Sequence, residues 1–123
     1  MNRVYRALRS RRFSFTNEAG LQGAIAQAFT EDGVPFQREV DLGDAGRIDF
    51  VVTSQKGALS KWTGVEIKIK GSPSSVGRQL IRYAESKAID QLILVTGRSQ
   101  LGRLPVELLG KPLLVINLWE TFL

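Results

Sequence analysis

Residues 64–71 read Gly-Val-Glu-Ile-Lys-Ile-Lys-Gly, with Val65, Ile67 and Ile69 alternating against Glu66, Lys68 and Lys70. A period of two is the mark of a β-strand with one apolar and one charged face. An acid followed by two lysines on one face of a central strand is either a solvated face or a site that handles phosphate. The residues around the run bear on that choice.

Working backwards, Lys56-Gly57-Ala58-Leu59 reads as a two-residue hairpin. Gly57 stands where a type II′ turn needs glycine. This joins a strand over Arg47–Ser54 to one over Leu59–Lys70 and, counted back from the turn, sets Asp49 directly opposite Glu66. Facing residues in such a ladder hold their Cβ atoms about 4.5–5.5 Å apart, and like charges so placed destabilise a sheet. A hard divalent cation between the carboxylates would relieve that repulsion, because Mg²⁺ takes oxygen ligands and often binds through one or two carboxylates. A bulge at Gly64 would shift the register by one residue and remove the opposition.

Working outward, Thr16-Asn17-Glu18 opens a helix carrying Leu21, Ala24, Ile25, Ala28 and Phe29, which Asp32-Gly33 and Pro35 end. Phe36–Leu42 is a strand, and Gly43-Asp44-Ala45-Gly46 a turn. Ser72-Pro73-Ser74-Ser75 opens a second helix running to about Ala88. Gln91–Thr96 is a buried-type strand and Leu113–Leu118 a further one. The order α-β-β-β-α-β-β is that of an α/β fold, a mixed central sheet flanked by helices.

The 123-residue chain has no cysteine and no histidine. Disulfides, thiolate or histidine metal sites and histidine-based catalysis are therefore excluded. Absence of cysteine fits an intracellular, cytoplasmic protein, and no apolar run is long enough for a membrane span. Arg3, Arg6, Arg9, Arg11 and Arg12 lie in the first twelve residues without an acid. The remaining twelve cations meet twelve acids, so the net charge of +5 belongs to this segment. Residues 1–16 read as a basic N-terminal arm and 17–123 as a single domain. The arm either meets a polyanion, nucleic acid before membrane, or only solvates. Val4 and Leu8 also allow an amphipathic helix packed on the body or on a second subunit.

Asp49 in Ile48-Asp49-Phe50, Glu66 and Lys68 in VEIKIK, and Glu18 on the preceding helix together resemble the PD-(D/E)xK nucleases. Ile48 stands where that motif usually has proline. The resemblance covers roughly residues 17–96 and implies a restriction-endonuclease-like αβββαβ core. It implies a metal-dependent DNA endonuclease with Mg²⁺ or Mn²⁺ on Asp49, Glu66 and the Ile67 carbonyl, and with Glu18 completing the acidic cluster. Lys68 would hold the scissile phosphate or the developing charge. Glu18 reads equally as an acid favoured by the helix dipole.

Gln79 and Tyr83, one helical turn apart, resemble the Q-x-x-x-Y signature of some branches, which approaches DNA or buttresses the metal site. Lys70, Arg82, Arg11 and Arg12 complete the expected nucleic-acid contacts. Glu18, Leu21 and Gln22 resemble small phage-type and junction-resolving members, placing Gln22 near the site. Similarity to archaeal-type Holliday junction resolvases and VRR-NUC nucleases implies branched DNA and a homodimer. The other readings are an inactive DNA-binding or assembly module on the same fold, and a structural protein whose charged strand face is only solvated.

Overall fold

A computed structural model of the chain describes residues 2–56, 59–97 and 103–118. In chain order the elements are α1 (Asn2–Arg9), α2 (Glu18–Glu31), β1 (Phe36–Asp41), β2 (Arg47–Lys56), β3 (Leu59–Lys68), α3 (Pro73–Ala84), β4 (Gln91–Thr96), β5 (Glu107–Leu108) and β6 (Lys111–Asn117). A 3₁₀ turn over Gly43–Ala45 joins β1 to β2. The six strands form one mixed sheet in the order β1-β2-β3-β4-β6-β5. β1, β2 and β3 are antiparallel, and β4 lies parallel to β3 and to β6. The α/β class expected from the element order is therefore observed.

Local chemistry accounts for the helix starts. The Asn17 side chain accepts the Gly20 N–H at 2.7 Å, making it the cap of α2. Ser72 accepts the Ser75 N–H at 3.2 Å, with Pro73 in the first turn of α3. α3 ends at Ala84, four residues before the expected stop, and its last turn closes on Glu85. β3 ends at Lys68 rather than Lys70. Gly57 and Ala58 lie outside the described residues, but Lys56 pairs with Leu59 on either side of them.

Two apolar layers sandwich the sheet. Under α1 and α2 lie Leu21, Ile25, Phe29, Phe50, Val65 and Ile67. Under α3 lie Ile48, Val51, Leu80, Tyr83, Leu92 and Leu94. The basic segment takes part in the first layer, because Val4, Ala7 and Leu8 are all buried. Their spacing of three and four residues is an amphipathic stripe, so the amphipathic alternative describes this segment. It shares a core with residues beyond 17 instead of standing apart as an arm. Each such large side chain removed from water contributes about 1.5–3 kcal/mol.

The pleat is interrupted once. Ile48 and Phe50 are two residues apart yet face opposite layers. Val40 and Phe36 divide in the same way on β1. At the crossing, Glu39 has φ of 53°, a left-handed conformation uncommon for a residue with a side chain. The β1–β2 ladder passes from Arg38↔Phe50 to Val40↔Ile48 across it. No register shift occurs at Gly64, which pairs with Val51. A Cβ there would stand 2.6 Å from Ile48 Cδ1 and 3.0 Å from Leu92 Cδ2, so a larger residue would require these side chains to shift. Leu113, Ile116 and Leu118 of the apolar C-terminal segment are core. Trp119, Phe122 and Leu123 lie outside the described residues.

Candidate active site

The β2–β3 ladder runs from Lys56↔Leu59 to Phe50↔Val65. Beyond it the next two residues are Asp49 and Glu66, in the register the hairpin implies. Here side chains take over from backbone pairing. The Ile67 N–H donates to Asp49 Oδ2 at 2.8 Å, and the Asp49 N–H donates to Glu66 Oε1 at 3.2 Å. The two carboxylates are thus wedged into the opening between the strands. In a strand the N–H and C=O of one residue leave on the same edge, so the Ile67 carbonyl shares the edge that faces Asp49.

Glu66 is only 3% exposed. Burial, with the Asp49 charge adding to it, raises its carboxyl to about 8, against the pull of Lys68. Burial also raises Asp49, opposed chiefly by the hydrogen bond from Ile67. Lys68 Nζ lies 3.8 Å from Glu66 Oε2, and among the described residues this is the one ion pair either carboxylate makes.

Tyr83 supports Glu66 from α3. Its hydroxyl donates to the Arg47 carbonyl at 2.8 Å, reaches Glu66 Oε2 at 3.2 Å and accepts from Gln79 Nε2 at 2.8 Å. Burial, then the neighbouring Glu66 charge, raises its pKa. At 1% exposure Tyr83 buttresses Glu66 and offers no surface to DNA; of the two expected roles, the buttress is the one the geometry permits. Gln79, one turn earlier, acts on Glu66 only through that Tyr83 hydroxyl.

Gln22 reaches the pair from α2. Its Nε2 donates to Asp49 Oδ1 and to Glu39 Oε1, both at 3.0 Å, while Arg38 donates to its Oε1 at 2.6 Å. Glu39 is the polar residue of this neighbourhood that sequence reading missed. Strand alternation carried no sign of it, because its placement depends on the left-handed backbone at that position. Glu39 does fall opposite Asp49 in the β1–β2 register, between Arg38↔Phe50 and Val40↔Ile48, the signal that could have found it.

Glu18 is placed differently from the expectation. Its Oε1 accepts the N–H of Ile69 at 2.8 Å and of Lys70 at 3.4 Å. It fastens the chain leaving β3, and among the described residues its side-chain hydrogen bonds go to these two backbone groups and not to Asp49 or Glu66. Among the described residues no three carboxylate, histidine or cysteine side chains gather to hold a metal ion. The pair itself suits a hard divalent cation: two oxygen donors in a buried place, under-neutralised, with a backbone carbonyl on the same edge.

Beside the pair lies a cleft of about 250 Å³, lined by Lys68, Lys70, Gly71, Ser75, Gln79 and Arg82 among others. Three cations from β3, the following loop and α3 converge there, and among the described residues no acid lines it. The two expected contacts at the N-terminal end have separate surroundings. Arg11 donates to Asp32 Oδ1 at 2.6 Å and to Glu31 Oε2 at 3.3 Å, whereas Arg12 is exposed.

Compared with known families and proteins, the chain matches no family model and no curated protein. Among the described residues no helix is long and apolar enough to cross a membrane.

Proposed function

We propose that the protein is a divalent-cation-dependent DNA endonuclease of the PD-(D/E)xK type, built on a restriction-endonuclease-like core. The observation that carries this reading is the pairing of half-buried Asp49 with buried Glu66, with Lys68 at 3.8 Å from Glu66 and also lining a cleft with Lys70 and Arg82. A buried pair of like charges is costly to keep, and it makes chemical sense where a cation completes it. The α-β-β-β-α-β order of α2 to β4 supports the same reading.

Mg²⁺ or Mn²⁺ on Asp49, Glu66 and the Ile67 carbonyl would supply an activated water and neutralise charge on the phosphate. The chain's own groups do the rest. Lys68 sits between Glu66 and the cleft, where its ammonium holds a phosphate oxygen and steadies the charge that grows as water attacks phosphorus and a sugar–oxygen bond to phosphorus breaks. Tyr83 and Gln79 keep the Glu66 carboxylate in place, and Gln22 does the same for Asp49. Lys70 and Arg82 receive a neighbouring phosphate of the same strand.

The resemblance to junction-resolving nucleases points to recognition of DNA shape, and a symmetric dimer would set two such sites on opposing strands of a branched substrate. The test is cleavage of a four-way junction and a matched linear duplex with Mg²⁺, Mn²⁺ or EDTA, using wild type, Asp49→Ala and Lys68→Ala. Metal-dependent cutting of the junction, lost in both variants, is expected. Equal cutting of both substrates would remove the shape selectivity. Binding without cutting would leave a DNA-binding module on this fold.

A further inference from the structure

Of the five N-terminal arginines, two are engaged within the fold. Arg3 donates to the Gly33 carbonyl at 2.8 Å, and Arg11 pairs with Asp32 and Glu31. Among the described residues Arg6, Arg9 and Arg12 make no ion pair. Tyr5, Arg6, Arg9 and Ser10 line a shallow cavity of about 420 Å³ on the outer side of α1. The Arg9 guanidinium lies 5.5 Å from the centre of the Tyr5 ring, within cation–π range, which holds two donors of different kinds in one place. The protein's whole net positive charge originates in this segment.

From these observations we infer that the outer face of α1 is a second DNA contact, gripping backbone phosphates away from the reaction centre through Arg6 and Arg9, with Tyr5 beside them. A membrane surface is disfavoured. Basic helices that lie on bilayers bury their apolar face in lipid, whereas Val4, Ala7 and Leu8 of this helix are buried in the protein's own core. What α1 offers outward is charge and one aromatic ring.

The location is set by α2. Glu18, at its start, fastens the chain next to Lys68, and Glu31, at its end, is held by Arg11. At 1.5 Å rise per residue these ends are about 20 Å apart. That distance corresponds to about six base pairs at 3.4 Å each along a strand. The contact therefore extends the footprint beyond the cutting site and adds affinity without reading sequence.

The inference takes from the nuclease reading only the choice of DNA as the polymer. Its test is done in EDTA, so that failure of cleavage and failure of this contact are seen separately. Binding of a labelled 30-base-pair duplex is measured by anisotropy between about 50 and 200 mM salt. The compared proteins are wild type, Arg6→Ala/Arg9→Ala, Arg6→Lys/Arg9→Lys and the charge-matched control Lys61→Ala/Lys87→Ala. Each released counterion contributes about 0.9 to the log–log slope, so the double alanine variant should lose about two units of slope. The lysine variant should retain most of it, and the control should match wild type. An unchanged slope in the alanine variant overturns the inference. So does an equal loss in the control, which would make the effect one of net charge alone. So does arginine-dependent binding to phosphatidylserine vesicles with an unaltered DNA slope. Unchanged thermal unfolding confirms that the variants are folded.

Discussion

Asp49 and Glu66 form one acidic pair, and Glu31 and Asp32 form another, and their surroundings differ in kind. The second pair lies on the surface, where Arg11 reaches both carboxylates. Hydrogen bonding from Arg11 lowers the Asp32 pKa, the usual result for an acid that has met its cation. The first pair is set into the end of the β2–β3 ladder, supported by Tyr83 and Gln22, and faces one lysine at 3.8 Å. Both of its acids are raised. Chain segments that only need to be held together receive a counterion in advance. The inner pair keeps its charge incompletely matched, as the proposed binding of a cation and a phosphate would require, and this distinguishes the two pairs better than the number of acids in either.

The sharpest way to break the comparison is to remove one charge from the inner pair. Asp49→Asn or Glu66→Gln should reduce cleavage at least about a hundredfold to a thousandfold, the scale of losing one charge-stabilising group. In metal-free buffer above about pH 8, where both acids are ionised, the same variants should melt at or above the wild-type temperature, because a like-charge repulsion is gone. An outer-pair variant such as Glu31→Gln should do neither. Initial rates on the preferred substrate, with melting curves in EDTA, decide the matter.

Acidity separates the pairs next. Glu66, with its pKa raised from 4.5 to about 8, binds its proton more tightly when folded. The stability this supplies is complete below the unfolded pKa and is lost as pH rises through about 8. Asp32, lowered in the fold, has the opposite sign: its contribution is present above the ordinary carboxylate range and is lost on acidification. The metal-free melting temperature should therefore fall by several degrees between pH 5 and 9, and Glu66→Gln should flatten that slope. A slope unchanged in the variant would assign the titration elsewhere.

A smaller effect is expected from Tyr83→Phe. It removes the hydroxyl that serves the Arg47 carbonyl, Glu66 and Gln79, at a cost of about 1–3 kcal/mol for buried partners left unsatisfied. Cleavage should fall about tenfold if that loss appears mostly as a misplaced Glu66 carboxylate. Denaturant unfolding and kcat together measure the two parts. Smallest of all is Arg11→Ala, which exposes the outer pair to water. Its melting temperature should shift least of the set, and the shift should shrink further in high salt.

How much of this was legible beforehand depends on how local each determinant is. The opposition of Asp49 and Glu66 follows from a two-residue turn and a count along two strands, so it was readable. Gln79 and Tyr83 were placed on one helical face by their spacing, and Gln22 near the site by the resemblance. The hydrogen bonds of Glu18 were not readable because its partners are 51 and 52 residues away. Nothing in a helix start tells whether its first acid will turn to a metal site or to two backbone N–H groups. Glu39 escaped for another reason: a glutamate in a left-handed conformation is contrary to its own preference. For the arginine-rich start the sequence left a polyanion contact, a solvated tail and an amphipathic helix open, and only the fold shows Val4, Ala7 and Leu8 buried.

The break in the pleat at Glu39 and Asp49 has a consequence for cooperativity. β1 gives Phe36 to one apolar layer and Val40 to the other, and β2 gives Phe50 and Val52 to the first and Ile48 and Val51 to the second. Neither layer can open without pulling on the same two strands, so the molecule should unfold as one unit rather than shed a helix layer at a time. The acid pair lies where the two layers are joined. Native-state hydrogen exchange should find the Asp49 and Ile67 amides protected to the full global free energy, slow-exchanging hydrogens in the immediate neighbourhood of the charges that the fold holds least comfortably.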